Sequence, residues 1–273
     1  MIEVDDFHKT YRETVAVAGL SFNVQPGQIL GLVGPNGAGK TTTLRALAGI
    51  IPPTRGRLAV AGCDVVADPV AAKRHLAYVP DDPKLFETLT IWEHLEFIAA
   101  AYRVDDYAPQ ATELLERFDL TPKRDTLAQE LSRGMRQKVA IACAYLHSPG
   151  AVLFDEPLTG LDPRGIRTMK DSIVGRSHNG TATVISSHLL DLVEDICTHL
   201  LILDRGKRLF FGRIDEARAA FADLSGSASL EEIFFRATEA DNRHGDQPGD
   251  TSRPDPQTPA DDGPPGKSPF APP

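Results

Sequence analysis

Four short apolar runs punctuate the chain without strict alternation: Ile29–Val33 (ILGLV), Ala151–Phe154 (AVLF), Ala182–Ser186 (ATVIS) and Leu200–Leu203 (LLIL). Strands covered on both faces look like this, which predicts a mainly parallel sheet with helices on each side. The opening segment, Ile2–Val24, reads instead as antiparallel strands with a polar turn near Arg12–Thr14. From residue 90 the period becomes helical. Ile91, Leu95, Ile98, Ala99 and Tyr102 fall on one face, and Thr90 with Glu93 forms a capping-box start. The pattern predicts an all-helical insertion over about residues 90–148, between sheet strands.

Composition adds a boundary. From Asp241 to Pro273 there are nine prolines and six aspartates against three basic residues, with almost no large apolar side chain. Such a segment cannot bury enough surface to offset its ordering entropy and is expected to be disordered, either as a solvated tail or as a partner-binding segment. The chain as a whole has 273 residues, 29 Lys and Arg against 38 Asp and Glu, and a formal charge of −9. That balance argues against general affinity for nucleic acid. No apolar run approaches the roughly 18–20 residues that span a bilayer. Glu3, Asp5 and Asp6 sit where a signal peptide requires a basic start and an apolar middle. Cys63, Cys143 and Cys197 are widely spaced and odd in number, so they read as reduced, mostly packed thiols. The expectation is an intracellular protein with no span of its own.

The first chemistry lies after the first buried strand. Gly34-Pro35-Asn36-Gly37-Ala38-Gly39-Lys40-Thr41 satisfies G-x-x-x-x-G-K-[ST] at every fixed position and leads into an apolar helix predicted over Thr42–Gly49. Glycines let consecutive backbone N–H groups curl around phosphate oxygens, and helix N-terminal amides add positive partial charge. Lys40 supplies a point charge to the terminal phosphates, and the Thr41 hydroxyl suits Mg²⁺. A second element, Ala151–Phe154 followed by Asp155, Glu156 and Pro157, places two carboxylates at the C-terminal edge of the sheet. Ligands bind at that edge in doubly wound folds. Asp155 would hold Mg²⁺, directly or through water, and Glu156 would accept hydrogen bonds from an attacking water as general base. Together these elements predict an α/β nucleoside triphosphatase with a P-loop core.

Leu131-Ser132-Arg133-Gly134-Met135-Arg136-Gln137, some twenty residues before the carboxylate strand, opens a helix predicted over Lys138–Leu146. It resembles the signature segment of ATP-binding-cassette (ABC) ATPases, usually L-S-G-G-Q. Ser132 and Gly134 match; Arg133 and Met135 depart, as in the ABC-2-type exporter branch. A serine hydroxyl and a glycine amide at a helix N-terminus can cap a γ-phosphate. Other elements follow in the family's order. Tyr11 sits where the family stacks an aromatic ring on adenine. Leu158-Thr-Gly160-Leu161-Asp162 resembles the D-loop, which crosses the dimer interface. Ser187-His188 matches the switch histidine that contacts the γ-phosphate and the attacking water. The resemblance covers about residues 1–236 as one ATPase domain, with a terminal helix at about 228–238 around Leu230–Arg236. One further departure follows Tyr78-Val-Pro80: the family's Gln is replaced by Asp81, then Asp82. Asp81 remains a candidate Mg²⁺ ligand, one methylene shorter and anionic.

The resemblance implies ATP and Mg²⁺ as ligands and a head-to-tail pair of ATPase subunits, homodimeric or heterodimeric. Each nucleotide would lie between the glycine loop of one subunit and Ser132 and Gly134 of the other. It also implies a separate transmembrane permease, docked near Asp81–Leu89 and residues 90–102, and a place at the inner face of the membrane. Leu85, Phe86 and Trp92 are candidate anchors there, with core packing the alternative for Trp92. An ABC ATPase acting on ribosomes or DNA is the competing reading; the acidic single cassette and the short insertion fit it poorly. A binding-only, degenerate subunit is the third, and Lys40, Asp155, Glu156 and His188 all count against it.

Overall fold

The structure, a computed structural model, describes residues 1–188, 190–221 and 230–236. The expected disorder of residues 241–273, and both ends of the expected terminal helix, lie outside the described residues; residues 230–236 are helical. Two sheets organise the chain. The first is antiparallel, made by β1 (Ile2–Tyr11), β2 (Thr14–Val24), β4 (Arg55–Val60) and the short β5 (Cys63–Asp64) in the order β2-β1-β4-β5. The second holds β3 (Ile29–Val33), β6 (Leu76–Val79), β7 (Ala151–Asp155), β8 (Ala182–Ser186), β9 (His199–Asp204) and β10 (Lys207–Arg213). Its order is β10-β9-β3-β8-β7-β6, parallel throughout except for the edge strand β10.

The unbroken apolar runs have a direct cause. Successive residues of a strand point to opposite faces, and both faces of the second sheet are covered. On β3, Ile29 and Val33 enter one core while Leu30 and Leu32 enter the other. On β7, Val152 and Phe154 face the first core, Ala151 and Leu153 the second. The second core fills the space between the two sheets around α1 (Lys40–Leu47). The first lies under α6 (Pro163–His178), α7 (Leu190–Ile196) and the helical insertion of α3 (Ile91–Tyr102), α4 (Ala108–Arg117) and α5 (Arg133–Leu146). α2 (Pro69–Arg74) and α8 (Ile214–Phe221) are two further helices.

The insertion keeps its expected start. Thr90 accepts from the Glu93 amide and Glu93 from the Thr90 amide, a complete capping box. It is not helical throughout. Residues 118–132 carry only two short 3-10 turns, at Thr121–Lys123 and Ala128–Glu130, and Leu127 bridges back to Thr90. The phosphate-loop helix starts at Lys40 rather than Thr42, and α5 starts at Arg133 rather than Lys138, because a glycine and a serine respectively serve as caps. Trp92 is a packing residue: its ring meets Tyr107 at 5.8 Å and stacks under the Arg124 guanidinium at 3.6 Å, which closes the insertion on itself. Cys143 and Cys197 are buried thiols and Cys63 is half-buried; none is disulfide-bonded. Among the described residues no helix is long and apolar enough to cross a membrane.

Candidate active site

In a parallel sheet the strands end on one edge, and the candidate residues gather there. β3 delivers the glycine loop, β7 delivers Asp155 and Glu156, and β8, hydrogen-bonded to both, delivers Ser186 to His188 between them. The loop is shaped by close approaches that exclude a side chain. A Cβ built on Gly34 would stand 2.3 Å from the Leu203 carbonyl oxygen. Gly39, the N-cap of α1, has φ 104°, and its Cβ would stand 2.7 Å from the Ala16 carbonyl oxygen. Lys40 is 8% exposed, and its Nζ donates to the carbonyls of Gly34 at 2.6 Å and Pro35 at 3.2 Å. Burial pulls its pKa down, and the charges of Glu156 and Asp155 oppose that shift.

Asp155 is 4% exposed and collects three hydroxyls. Thr41 Oγ1 donates to Oδ1 at 3.2 Å, Ser186 Oγ donates to the same oxygen, and the Tyr78 hydroxyl reaches Oδ2 at 3.4 Å. Burial and the neighbouring carboxylate push the Tyr78 phenol up to about 12, so it stays a donor. A buried carboxylate beside a threonine hydroxyl is an all-oxygen set, which suits a hard divalent cation such as Mg²⁺ and not a soft metal. Glu156, one residue on, holds φ 50°, a left-handed conformation uncommon for a side chain of this size. Its amide donates to the Ser186 carbonyl, and its Oε2 lies 2.8 Å from His188 Nδ1. A carboxylate oxygen accepts, so in this hydrogen bond His188 Nδ1 is the donor, and Glu156 does not engage Nε2.

Tyr11 ends β1 beside this edge and is 44% exposed. It lines an open cleft of about 410 Å³ with Thr14 to Ala16, Asn36 to Thr42 and Glu156. The ring stands at the mouth of the loop, with Lys9 Nζ 5.0 Å from its centre. Ser132, Gly134, Asp81 and Asp162 do not line that cleft. Ser132 caps α5 by accepting from the Met135 amide at 3.3 Å. Asp162 caps α6, accepting from the Gly165 amide at 3.1 Å. Asp81 bonds to Arg133.

Two contributors were missed from the sequence. Ser186 ends an apolar strand and Tyr78 sits in β6, and both read as strand residues until the sheet order sets them beside Asp155. A third is Phe234, from residues 230–236: with Gly34 to Asn36, Ser187, His188 and Leu190 it lines a second cleft of about 250 Å³.

Comparison with known proteins places the chain beside one family. Residues 17–159 match the family model described as ABC transporter. The chain is 32% identical over 246 residues to the ABC-type transporter ATP-binding protein EcsA of Bacillus subtilis, covering 89% of this chain and 99% of that one. It is 34% identical over 213 residues to the Nod factor export ATP-binding protein I of Burkholderia pseudomallei, covering 77% and 70%. The solved ATP-binding subunit of an ABC transporter superposes with a TM-score of 0.83 at 33% identity, covering 87% of this chain and 99% of that one. The cbiO1 protein of Clostridium perfringens, part of the cbiONQ transporter complex, shares the fold with a TM-score of 0.70 at 23% identity, covering 89% and 96%.

Proposed function

The chain belongs to the ABC transporter ATP-binding family, and from that premise we propose that it hydrolyses ATP at the strand-end site to drive an exporter of the ABC-2 type. The family binds ATP, generally with Mg²⁺. The observation that carries the reading is the Glu156–His188 hydrogen bond at the mouth of the glycine loop, beside the Thr41–Asp155 pair.

In this reading the amides of Gly34 to Thr42 and the Lys40 ammonium hold the β- and γ-phosphates, and Tyr11 stacks on the adenine. Thr41 and Asp155 would hold Mg²⁺, which when bound offsets charge on the phosphate oxygens. Glu156 accepts a hydrogen bond from the attacking water and takes its proton. His188, held by Glu156 through Nδ1, turns Nε2 toward the γ-phosphate. Ser132 and Gly134 stand outside the cleft of their own chain, so they meet the nucleotide of a second subunit, and Asp162 lies on the same interface. Loss of the γ-phosphate removes what both subunits hold, and the pair opens.

The motion passes to a separate membrane permease. A cleft of about 250 Å³ between the segment after β6 and helices α3 and α5, lined by Leu85, Phe86, Phe97, Ile98 and Tyr102 among others, is the proposed docking place. Phe86 is 55% exposed beside Phe97, an apolar anchor suited to a short permease helix. Export as the direction follows the relative named for Nod factor export. The test is turnover by Glu156→Gln. It should keep Mg·ATP bound while hydrolysis falls by about 10²-fold or more; hydrolysis at the wild-type rate removes Glu156 as base. Co-purification with a polytopic membrane protein, lost in Phe86→Asp, tests the docking cleft.

A further inference from the structure

Arg133 opens α5, and its Nη2 donates to Asp81 Oδ1 at 3.0 Å. Asp81 lies two residues beyond the end of β6 and so belongs to the sheet core, whereas Arg133 belongs to the helical insertion. The same arginine touches a third segment. A Cβ built on Gly160 would stand 3.2 Å from Arg133 Cδ, and one built on Gly134 would stand 2.5 Å from the Gly160 carbonyl oxygen. One arginine side chain therefore meets two segments, its guanidinium the exit of β6 and its methylene stem the turn that follows Glu156, at the point where Ser132 and Gly134 begin their helix.

The neighbouring charges have other commitments. Asp82 pairs with Lys84 and feels Arg133 and Arg136 more weakly. Arg136 Nε donates to the Leu131 carbonyl. Asp81 and Arg133 are 47% and 53% exposed at their side chains. An ion pair so open to water adds little to stability. What it supplies is geometry, since a guanidinium donates in fixed directions.

We propose that Asp81 and Arg133 form one positioning latch, which sets the Ser132–Gly134 end of α5 relative to the Glu156 turn. Asp81 then acts through Arg133 and not on the metal, and the two departures from the family pattern compensate each other: the cation at 133 requires the carboxylate at 81. The inference rests on the reading that Ser132 and Gly134 face the nucleotide of a second subunit.

The test is a double-mutant cycle in the full chain with Asp81→Asn, Arg133→Gln and both. Each single change should lower kcat for Mg·ATP about fivefold, with KM and Tm unchanged, and the pair together should fall no further than the worse single. Without nucleotide, amide exchange in the first turn of α5 should rise about threefold in either single variant. Effects on kcat that multiply overturn the latch. So does unchanged amide exchange, or a shift in Mg²⁺ half-saturation in Asp81→Asn that Arg133→Gln does not share. If the wild-type chain hydrolyses no ATP while exchange responds as expected, the functional reading fails and the latch stands.

Discussion

At the strand ends, Lys40 and Asp155 are nearly out of contact with water and are held by three parallel strands whose side chains fill two cores. At the start of α5, Asp81 and Arg133 are half-exposed and meet across a junction between the sheet and an insertion. Burial amplifies each polar contact in the first region and water damps it in the second. The first is thus built to hold charge in place, and the second to be adjusted. In the proposed function, chemistry falls in the rigid region and subunit contact in the adjustable one.

Lys40→Ala should break the first region most severely. With the ammonium gone, phosphate binding and hydrolysis fall by about 10²–10³-fold, measured by nucleotide binding and phosphate release. Replacing glycines separates the regions by stability. Gly34→Ala drives a methyl into the backbone of β9, buried on both faces, and should cost about 2–3 kcal/mol in denaturant unfolding. Gly134→Ala meets the carbonyl of Gly160, on a turn that can shift, and should cost about 1 kcal/mol. Ser132→Ala removes only a helix cap, about 1 kcal/mol, yet ATP-driven assembly should suffer far more than this loss explains.

A smaller effect probes the junction between the insertion and β6. His147 stacks on Tyr102 at 3.8 Å, and burial pushes its pKa down to about 4 from 6.5. The unfolded chain then binds more protons between those two values, so stability falls as pH drops from 6.5 toward 4. His147→Phe keeps the stack and should flatten that slope in thermal melts. An unchanged slope assigns the acid sensitivity elsewhere.

Much of the rigid region was legible in the sequence, because burial on both faces leaves a continuous apolar run and a phosphate loop needs glycine at fixed spacing. β3 and β8 were read to the residue, β7 to within one residue at one end and β9 to within one at each end. β10 and β4 were not seen: KRLFFGR and RGRLAV carry polar residues on partly exposed strands, and only their distant partners explain them. Ser186 and Tyr78 were missed for a similar reason, since a hydroxyl in a strand has no local signature for a carboxylate on the neighbouring strand. The adjustable region was legible as motif but not as contact. Ser132 and Asp162 looked like ligand-facing groups, and the fold adds that each caps its own helix. Asp81 looked like a metal ligand, and the fold gives it a cation.

The central claim is that one chain carries half of each nucleotide site and that two subunits complete it around ATP. Sedimentation velocity of Glu156→Gln with Mg·ATP tests it most directly. The account predicts a dimer that returns to monomer in ADP and does not form when Ser132→Ala is added. A monomer saturated with ATP would contradict it.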